Sequence, residues 1–98
     1  MSVTLFNYFQ AREGKSHALR SVLASAIPTI KASPGRISCQ LLQSHDNPPR
    51  FVVVEVWDRF ESHQAAVEAI PDEALAGVME LLDGMPTGEY FLVSEPTA

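Results

Sequence analysis

The chain has 98 residues, which is room for one hydrophobic core, so we expect a single domain over residues 1–98. Its formal net charge of -5 and its seven scattered basic residues exclude the clustered Lys and Arg with which proteins bind nucleic acid or an anionic membrane. The one cysteine excludes an intramolecular disulfide, and the stretch MSVTLFNYFQ lacks the basic flank and apolar run of a signal peptide, which together predict a cytoplasmic protein.

Two elements are predicted in the first third of the chain. The stretch VTLFNYFQA, residues 3–11, is rich in β-branched and aromatic side chains and contains neither Gly nor Pro, which is typical of a strand. An amphipathic helix is predicted over residues 14–31 by apolar side chains at helical spacing, which are Leu19, Val22, Leu23, Ala26, Ile27 and Ile30. Pro28 is expected to bend the last turn of this helix, and the segment SPG at residues 33–35 ends it.

A hairpin of two strands is predicted next. The stretch RISCQLLQS, residues 36–44, alternates between two faces, and HDNPP supplies turn residues before FVVVEVW at residues 51–57. The second strand is apolar on both faces, as in a strand that is covered on both sides. Helices can cover one of these faces, so another body has to cover the second.

The rest of the chain predicts two short helices and a strand. The first helix has one shared face, which is formed by Phe60, His63, Gln64 and Val67. The second begins near Pro71, Asp72 and Glu73, ends at Gly84, and has a stripe expected to be buried, which is Leu75, Val78, Met79 and Leu82. The stretch EYFLV, residues 89–93, predicts a final strand before a short polar tail at residues 94–98.

The resulting element order is βαββααβ. This order fits an α+β sandwich of ferredoxin-like type, in which an antiparallel sheet carries its helices on one face. The other face of the sheet would be bare, and a chain this short buries only roughly 60 to 65 per cent of its unfolded surface. We therefore expect a homodimer that forms through the open sheet face.

Motifs for cofactors and metals are absent from the sequence. The triplet GKS lacks the upstream glycine of a phosphate-binding loop, and no Gly-x-Ser-x-Gly elbow supports hydrolysis. His17, His45 and His63 have no carboxylate or cysteine at metal-ligand spacing. No apolar run reaches the roughly 20 residues of a membrane-spanning helix. We expect no metal, no organic cofactor, and neither a membrane nor a nucleic acid as a partner.

Polar side chains inside the predicted strands are the candidates for a site, because buried polar groups need partners and often converge on a pocket. A Glu55 that shares a strand face with Trp57 would be partly desolvated, which raises its pKa and favours proton acceptance near neutral pH. The alternative is a Glu55 paired with Arg or Lys. Trp57 is either a platform for a ligand or a packed side chain whose N–H finds an acceptor such as Asn7. Cys39 is expected to be a small core side chain rather than a reactive thiol.

Three stretches of the chain resemble the antibiotic biosynthesis monooxygenase family. They are GKSHALRSVLASAIPTIKASPG at residues 14–35, PPRFVVVEVWDRFESHQ at residues 48–64 and LLDGMPTGEYFLV at residues 81–93. The strongest element is the strand that ends in Glu55-Val56-Trp57 and is followed directly by a helix. The resemblance extends over nearly the whole chain, and it implies a dimeric α/β barrel in which the open sheet face becomes part of the barrel wall.

The resemblance also implies site residues. The haem-degrading branch uses an Asn in the first strand, this Trp and a His ten residues beyond it; Asn7 and Trp57 match, but the third position is Val67, and His63 lies one turn earlier. The cofactor-independent branch deprotonates a polycyclic phenol, anthrone or quinol that then passes an electron to O₂. For that reaction the catalytic candidates are Asn7, Trp57 and His63, and the substrate-binding candidates are Glu55, Phe60, Val67 and Tyr90.

Two functions are compatible with these residues. The first is a cofactor-independent monooxygenase acting on a small aromatic substrate, with Asn7, the Trp57 N–H and Tyr90 as candidate donors and either His63 or Glu55 as the base. The second is a non-catalytic, dimeric ligand-binding or stress-associated domain, for which Val67 at the histidine position of the haem branch is the best evidence. An open apolar slot beside Trp57 would favour the enzyme.

Overall fold

The computed structural model describes residues 2–94 as an antiparallel sheet with helices packed on one face. The strands are β1 (Val3–Gln10), β2 (Arg36–Gln43), β3 (Arg50–Trp57) and β4 (Thr87–Leu92), and the helices are α1 (Ser16–Ala32), α2 (Phe60–Glu68) and α3 (Asp72–Met79). The strand order is β2-β3-β1-β4, which is the ferredoxin-like arrangement. The predicted α+β class and the order βαββααβ are confirmed. Of the predicted polar tail, residues 95–98 lie outside the described part.

Helix α1 begins two residues later than predicted, at Ser16. Gly14 has a φ of +77°, and this left-handed conformation cannot belong to a right-handed helix. Pro28 lies inside the helix, which continues beyond it to Ala32. The end of α1 is capped by Ser33, whose hydroxyl donates to a backbone carbonyl in the last turn.

The ends of β1 and β4 also differ from the prediction. Strand β4 begins at Thr87 rather than Glu89, because Thr87 and Gly88 find backbone partners in β1. Glycine has a low preference for strands, so this extension depends on the neighbouring strand rather than on local sequence. Strand β1 ends one residue early, and Ala11 instead forms an isolated bridge with Leu82.

The main hydrophobic core lies where α1 and α3 cover one end of the sheet. Its buried residues are Ala11, Leu19, Leu23, Phe51 and Leu82. Val78 and Met79 pack against this cluster from the C-terminal end of α3, whereas Leu75 in the same helix is 44% exposed. The predicted buried stripe is therefore only partly correct. Residues 72–77 of this eight-residue helix are exposed, and only its last two residues, Val78 and Met79, pack on the core.

The opposite face of the sheet carries apolar side chains that point away from the helices. Val52, Val54 and Val56 alternate with the buried residues of β3 and are partly exposed. Phe6 and Phe91 pack edge to face beside them, with ring centroids 5.2 Å apart, and line a shallow concavity of about 470 Å³. The sheet of one chain is not closed into a barrel. Within residues 2–94, no helix has the length and apolar character needed to cross a membrane.

Candidate functional site

The strand register places a row of side chains on the helix-facing side of the sheet. Glu55 of β3 pairs with Cys39 of β2 and with Leu5 of β1, and Leu5 pairs in turn with Tyr90 of β4. Residues directly opposite each other in antiparallel strands point to the same face. Trp57 lies two residues beyond Glu55 and so points to this face as well. A carboxyl, a phenol and an indole are thereby collected beneath α2.

Glu55 is a buried carboxyl that is held by the tryptophan. Trp57 Nε1–H donates to Glu55 Oε1 over 3.1 Å, and Trp57 and Glu55 are only 1% and 5% exposed. Burial raises the pKa of Glu55, and the hydrogen bond from Trp57 offsets part of that rise. Among residues 2–94 no Arg or Lys forms an ion pair with Glu55, so the alternative of a charge-paired Glu55 is wrong. The acceptor for the Trp57 N–H is Glu55 and not Asn7.

Replacing Glu55 with Gln is expected to remove a pH dependence of stability. The pKa of Glu55 is raised above its ordinary value of 4.5 in the folded protein. Its contribution to stability is therefore fully present below pH 4.5 and is lost as the pH rises through the folded pKa. The difference in unfolding free energy between wild type and Glu55→Gln should fall with pH in this window, with a slope of at most about 1.4 kcal/mol per pH unit.

Urea unfolding at a series of pH values from acidic to neutral measures the difference in unfolding free energy between wild type and Glu55→Gln. The exposed Glu61 on α2 offers a matched control, since Glu61→Gln removes a carboxyl from solvent rather than from the protein interior. A wild-type minus Glu55→Gln difference that stays constant with pH would show that Glu55 titrates as it does in the unfolded chain.

Rings from α2 and β4 close over the buried pair. The His63 ring of α2 lies with its centroid 5.5 Å from that of Trp57 and 5.4 Å from that of Tyr90. Phe60, one turn earlier, packs edge to face on Tyr90 at 4.8 Å. His63 Nδ1 and the Tyr90 hydroxyl form a hydrogen bond between elements that are 27 positions apart in sequence. This contact ties α2 to the edge strand of the sheet.

Burial disfavours the charged forms of both hydrogen-bonded groups. It lowers the pKa of His63, and it raises the pKa of Tyr90, to which the negative charge of Glu55 adds as a second cause. The imidazole and the phenol are therefore neutral at pH 7. The arrangement can take up a proton at Glu55 and can offer hydrogen bonds from neutral groups beside it.

Asn7 and Val67 lie at the border of this group. Asn7 belongs to the next row of the sheet, opposite Gly88 of β4. A Cβ at position 88 would stand 2.9 Å from Asn7 Oδ1, so a glycine there leaves room for the Asn7 amide. Val67 lies one turn beyond His63 and is 43% exposed. Five of the predicted site residues thus form a continuous series of side-chain contacts, in the order Glu55, Trp57, His63, Tyr90 and Phe60.

Two neighbours of the site were not predicted as such. Cys39 is buried, as expected of a core side chain, but it also lies opposite Glu55, and burial followed by the charge of Glu55 raises the pKa of Cys39 to about 11. The thiol therefore stays protonated and gives Glu55 an uncharged neighbour. Aligning the two hairpin strands about the HDNPP turn would have revealed this pairing. The role of Gly88 depends on the pairing of β1 with β4, for which the sequence carries no local signal.

The described residues leave no open slot beside Trp57, which is 1% exposed and covered by His63, so the feature that would favour the enzyme is not found in this arrangement. Phe60 and Tyr90 are 38% and 39% exposed, whereas Trp57 is covered by His63. Phe60, His63 and Tyr90 therefore lie between the buried Glu55–Trp57 pair and the solvent. A second concavity, of about 360 Å³, lies elsewhere and is lined by Ser33, Pro34, Arg59, Glu61, Ser62, Ala65, Ala66 and Ala69.

The donor set does not suit a metal or haem. Within the described residues, no group of three or more His, Cys, Asp and Glu side chains could hold a metal ion. Val67 stands where the resemblance places the haem ligand, and its side chain has no ligating atom. His63 lies one turn earlier, and its Nδ1 is engaged by the Tyr90 hydroxyl. His17 and His45 are exposed, the latter beside Asp46.

Comparison with known proteins finds one matching family model and several solved structures with the same fold. The model of the family described as antibiotic biosynthesis monooxygenase matches residues 2–70. SnoaB, a cofactor-independent oxygenase from Streptomyces nogalater, is 22% identical with a TM-score of 0.83, and the alignment covers 97% of this chain and 95% of that chain. At this identity the likeness shows the fold alone.

Two further solved structures are similar over most of their length. A Nitrosomonas europaea protein of unknown function is 26% identical, with a TM-score of 0.83 and coverage of 99% of this chain and 94% of that one. A protein from Shewanella oneidensis is also 26% identical, with a TM-score of 0.80 and coverage of 92% and 88%. No curated protein sequence matches the chain significantly.

Proposed function

The chain belongs to the antibiotic biosynthesis monooxygenase family, and on this premise we propose that it is a cofactor-independent monooxygenase for an electron-rich aromatic substrate, such as an anthrone, a quinol or a polyketide-like phenol. The observation that carries the proposal is the buried Glu55 carboxyl, which Trp57 holds beneath a half-buried histidine and tyrosine. A carboxyl with a raised pKa in an apolar setting is a suitable acceptor for the proton of a weak carbon or phenol acid.

The proposed reaction obtains its electrons from the substrate. Loss of a proton from an anthrone gives an anion rich enough in electrons to reduce O₂, after which the carbon radical and the reduced oxygen combine. The CH₂ group becomes a ketone that contains one oxygen atom of O₂, and the other atom leaves as water with the two hydrogens. The protein has to supply an apolar slot, a base and hydrogen-bond donors to the oxygen on which charge develops.

Each predicted site residue has a role in this proposal. Glu55 accepts the proton once the rings of His63 and Tyr90, which close over it, move aside for the substrate, and Trp57 is the positioning residue that orients its carboxyl through the N–H. The Asn7 amide donates a hydrogen bond to a substrate oxygen. Phe60, Val67 and Tyr90 form the apolar wall against which a flat aromatic ring lies, and His63 contacts the substrate from α2.

The proposal includes a homodimer in the cytoplasm. The open sheet face carries Val52, Val54, Val56, Phe6 and Phe91, and apolar surface of this kind is stabilised by burial against a second copy. Joining two such faces gives the dimeric α/β barrel that the family resemblance implies. The chain has one cysteine and so forms no intramolecular disulfide, in keeping with a reducing compartment.

Oxygen consumption with anthrones and hydroquinones, without added cofactor, tests the proposal. We expect turnover above the rate of spontaneous oxidation, with one ¹⁸O atom from ¹⁸O₂ in the product. Trp57→Phe should lower kcat about tenfold, because loss of a hydrogen bond to a carboxylate releases Glu55 from its position. Oxygen consumption that yields only hydrogen peroxide, with no ¹⁸O in the product, would exclude a monooxygenase.

The alternative is a non-catalytic, dimeric ligand-binding or stress-associated domain, which is favoured by Val67 in place of the histidine of the haem branch. Trp57 is the only tryptophan, so its fluorescence reports on ligands at this site without turnover. Quenching by the same aromatic compounds, combined with no oxygen uptake by any of them, would support the binding domain.

A further inference from the structure

The hydrogen bond between Tyr90 and His63 joins two groups that can each donate a proton. The phenol carries one proton on its oxygen, and a neutral imidazole carries one on either Nδ1 or Nε2. If the hydroxyl donates to Nδ1, the ring proton is on Nε2 and the histidine is a hydrogen-bond donor to its surroundings. If Nδ1–H donates to the hydroxyl, Nε2 has a free lone pair and the histidine is a base.

The acidities of the two groups favour the first arrangement. A phenol loses its proton with a pKa of about 10, whereas the N–H of a neutral imidazole is far less acidic. An imidazole nitrogen is also a much better proton acceptor than a phenol oxygen, since its conjugate acid has a pKa of about 6.5. Burial lowers the pKa of His63 and raises that of Tyr90, so both groups stay in the neutral forms that this comparison assumes.

The surroundings hold the two rings without adding a charged partner to the histidine. From β3, Trp57 packs on His63, and the Trp57 N–H is already donated to Glu55. From β4 the facing group is the Tyr90 hydroxyl itself. The charged residues nearest to His63 in sequence are Arg59, just before α2, and Glu61 in its first turn; both are exposed, and burial is the cause of the lowered pKa of His63.

We propose that Tyr90 is a positioning residue that holds His63 as its Nε2–H tautomer, so that His63 donates a hydrogen bond to a substrate oxygen and does not accept the substrate proton. The donor role rests on the proposed function, whereas the tautomer and its dependence on Tyr90 do not. The two halves of the site then have separate tasks: Glu55 takes the proton, and the His63 N–H stabilises the charge that develops on oxygen.

The tautomer is tested by ¹H–¹⁵N correlation spectra of the histidine rings at neutral pH. The expected result for wild type is a His63 ring with a protonated Nε2 and an unprotonated Nδ1. Tyr90→Phe keeps the ring contacts but removes the hydroxyl, and it should shift the His63 ¹⁵N signals towards a mixture of tautomers. Tyr8→Phe, on the opposite face of the sheet, is the matched control and should leave them unchanged. A protonated Nδ1 in wild type, or spectra unaffected by Tyr90→Phe, would overturn the proposal.

The donor role is tested by two amide replacements of His63. The Gln amide nitrogen reaches near the position of Nε2 and can donate, whereas the Asn amide ends near Nδ1. We expect His63→Gln to keep kcat within about tenfold of wild type and His63→Asn to lose about 100-fold or more, the usual effect of removing an oxyanion donor. Equal, complete losses in both variants would identify His63 as the base. If wild type oxidises no substrate, the proposed function fails, and the spectra still decide the tautomer.

Discussion

Glu55→Gln is expected to lower kcat for oxidation of an aromatic substrate by about 10² to 10⁴-fold, the usual contribution of a general base. The amide has nearly the shape of the carboxyl, and its oxygen can still accept the Trp57 N–H, which spans 3.1 Å in the wild type. What it loses is the ability to take up a proton. The fall should therefore appear in kcat with little change in KM, because the surfaces that contact the substrate are kept.

The pH dependence of the wild type provides a second readout of the same residue. A base works in its ionised form, so kcat/KM should rise with pH through the pKa of Glu55, which burial places above the ordinary 4.5. Glu61→Gln, in the first turn of α2, removes an exposed carboxyl and should leave the rate unchanged. A Glu55→Gln variant that keeps the wild-type rate would move the base to another residue, and the next candidate would be His63.

The second large effect is expected at the open sheet face, where Val54→Asp should convert the proposed dimer into a monomer. Val54 lies in the middle of β3, and its side chain points away from the helices. In a face-to-face dimer the new carboxylate would be buried, and an uncompensated buried charge costs about 3 to 5 kcal/mol. Since about 1.4 kcal/mol corresponds to tenfold in affinity, the dimer dissociation constant should rise by at least about 100-fold.

Light scattering coupled to gel filtration measures the mass of the variant, and circular dichroism shows whether the monomer is folded. Ser21→Asp introduces the same charge on an exposed position of α1, on the other side of the sheet, and should leave the dimer intact. If the variant is a folded dimer, the open face is not the interface. If the wild type and Val54→Asp are both monomers, the wild type has no dimer to disrupt, and the dimeric barrel is excluded.

Much of the fold is determined by local periodicity. Alternation along VVVEVW gave the two faces of β3, and it placed Glu55 and Trp57 on the same one, because residues two apart in a strand always share a face. The helical spacing from Leu19 to Ile30 likewise identified α1. Its start was misplaced by two residues, since only the conformation of Gly14, with its φ of +77°, excludes that residue from the helix.

The site depends on contacts that local periodicity does not contain. The sequence by itself determined the element order, the buried strand, and the presence of Asn7, Glu55, Trp57 and His63 as chemical groups. Only the tertiary structure decided that Glu55 binds Trp57 rather than a cation, and that His63 binds Tyr90 from 27 positions away. The physical reason is that the side-chain periodicity of a strand or helix specifies the faces of that one element. Strand register and helix packing decide which faces of different elements meet.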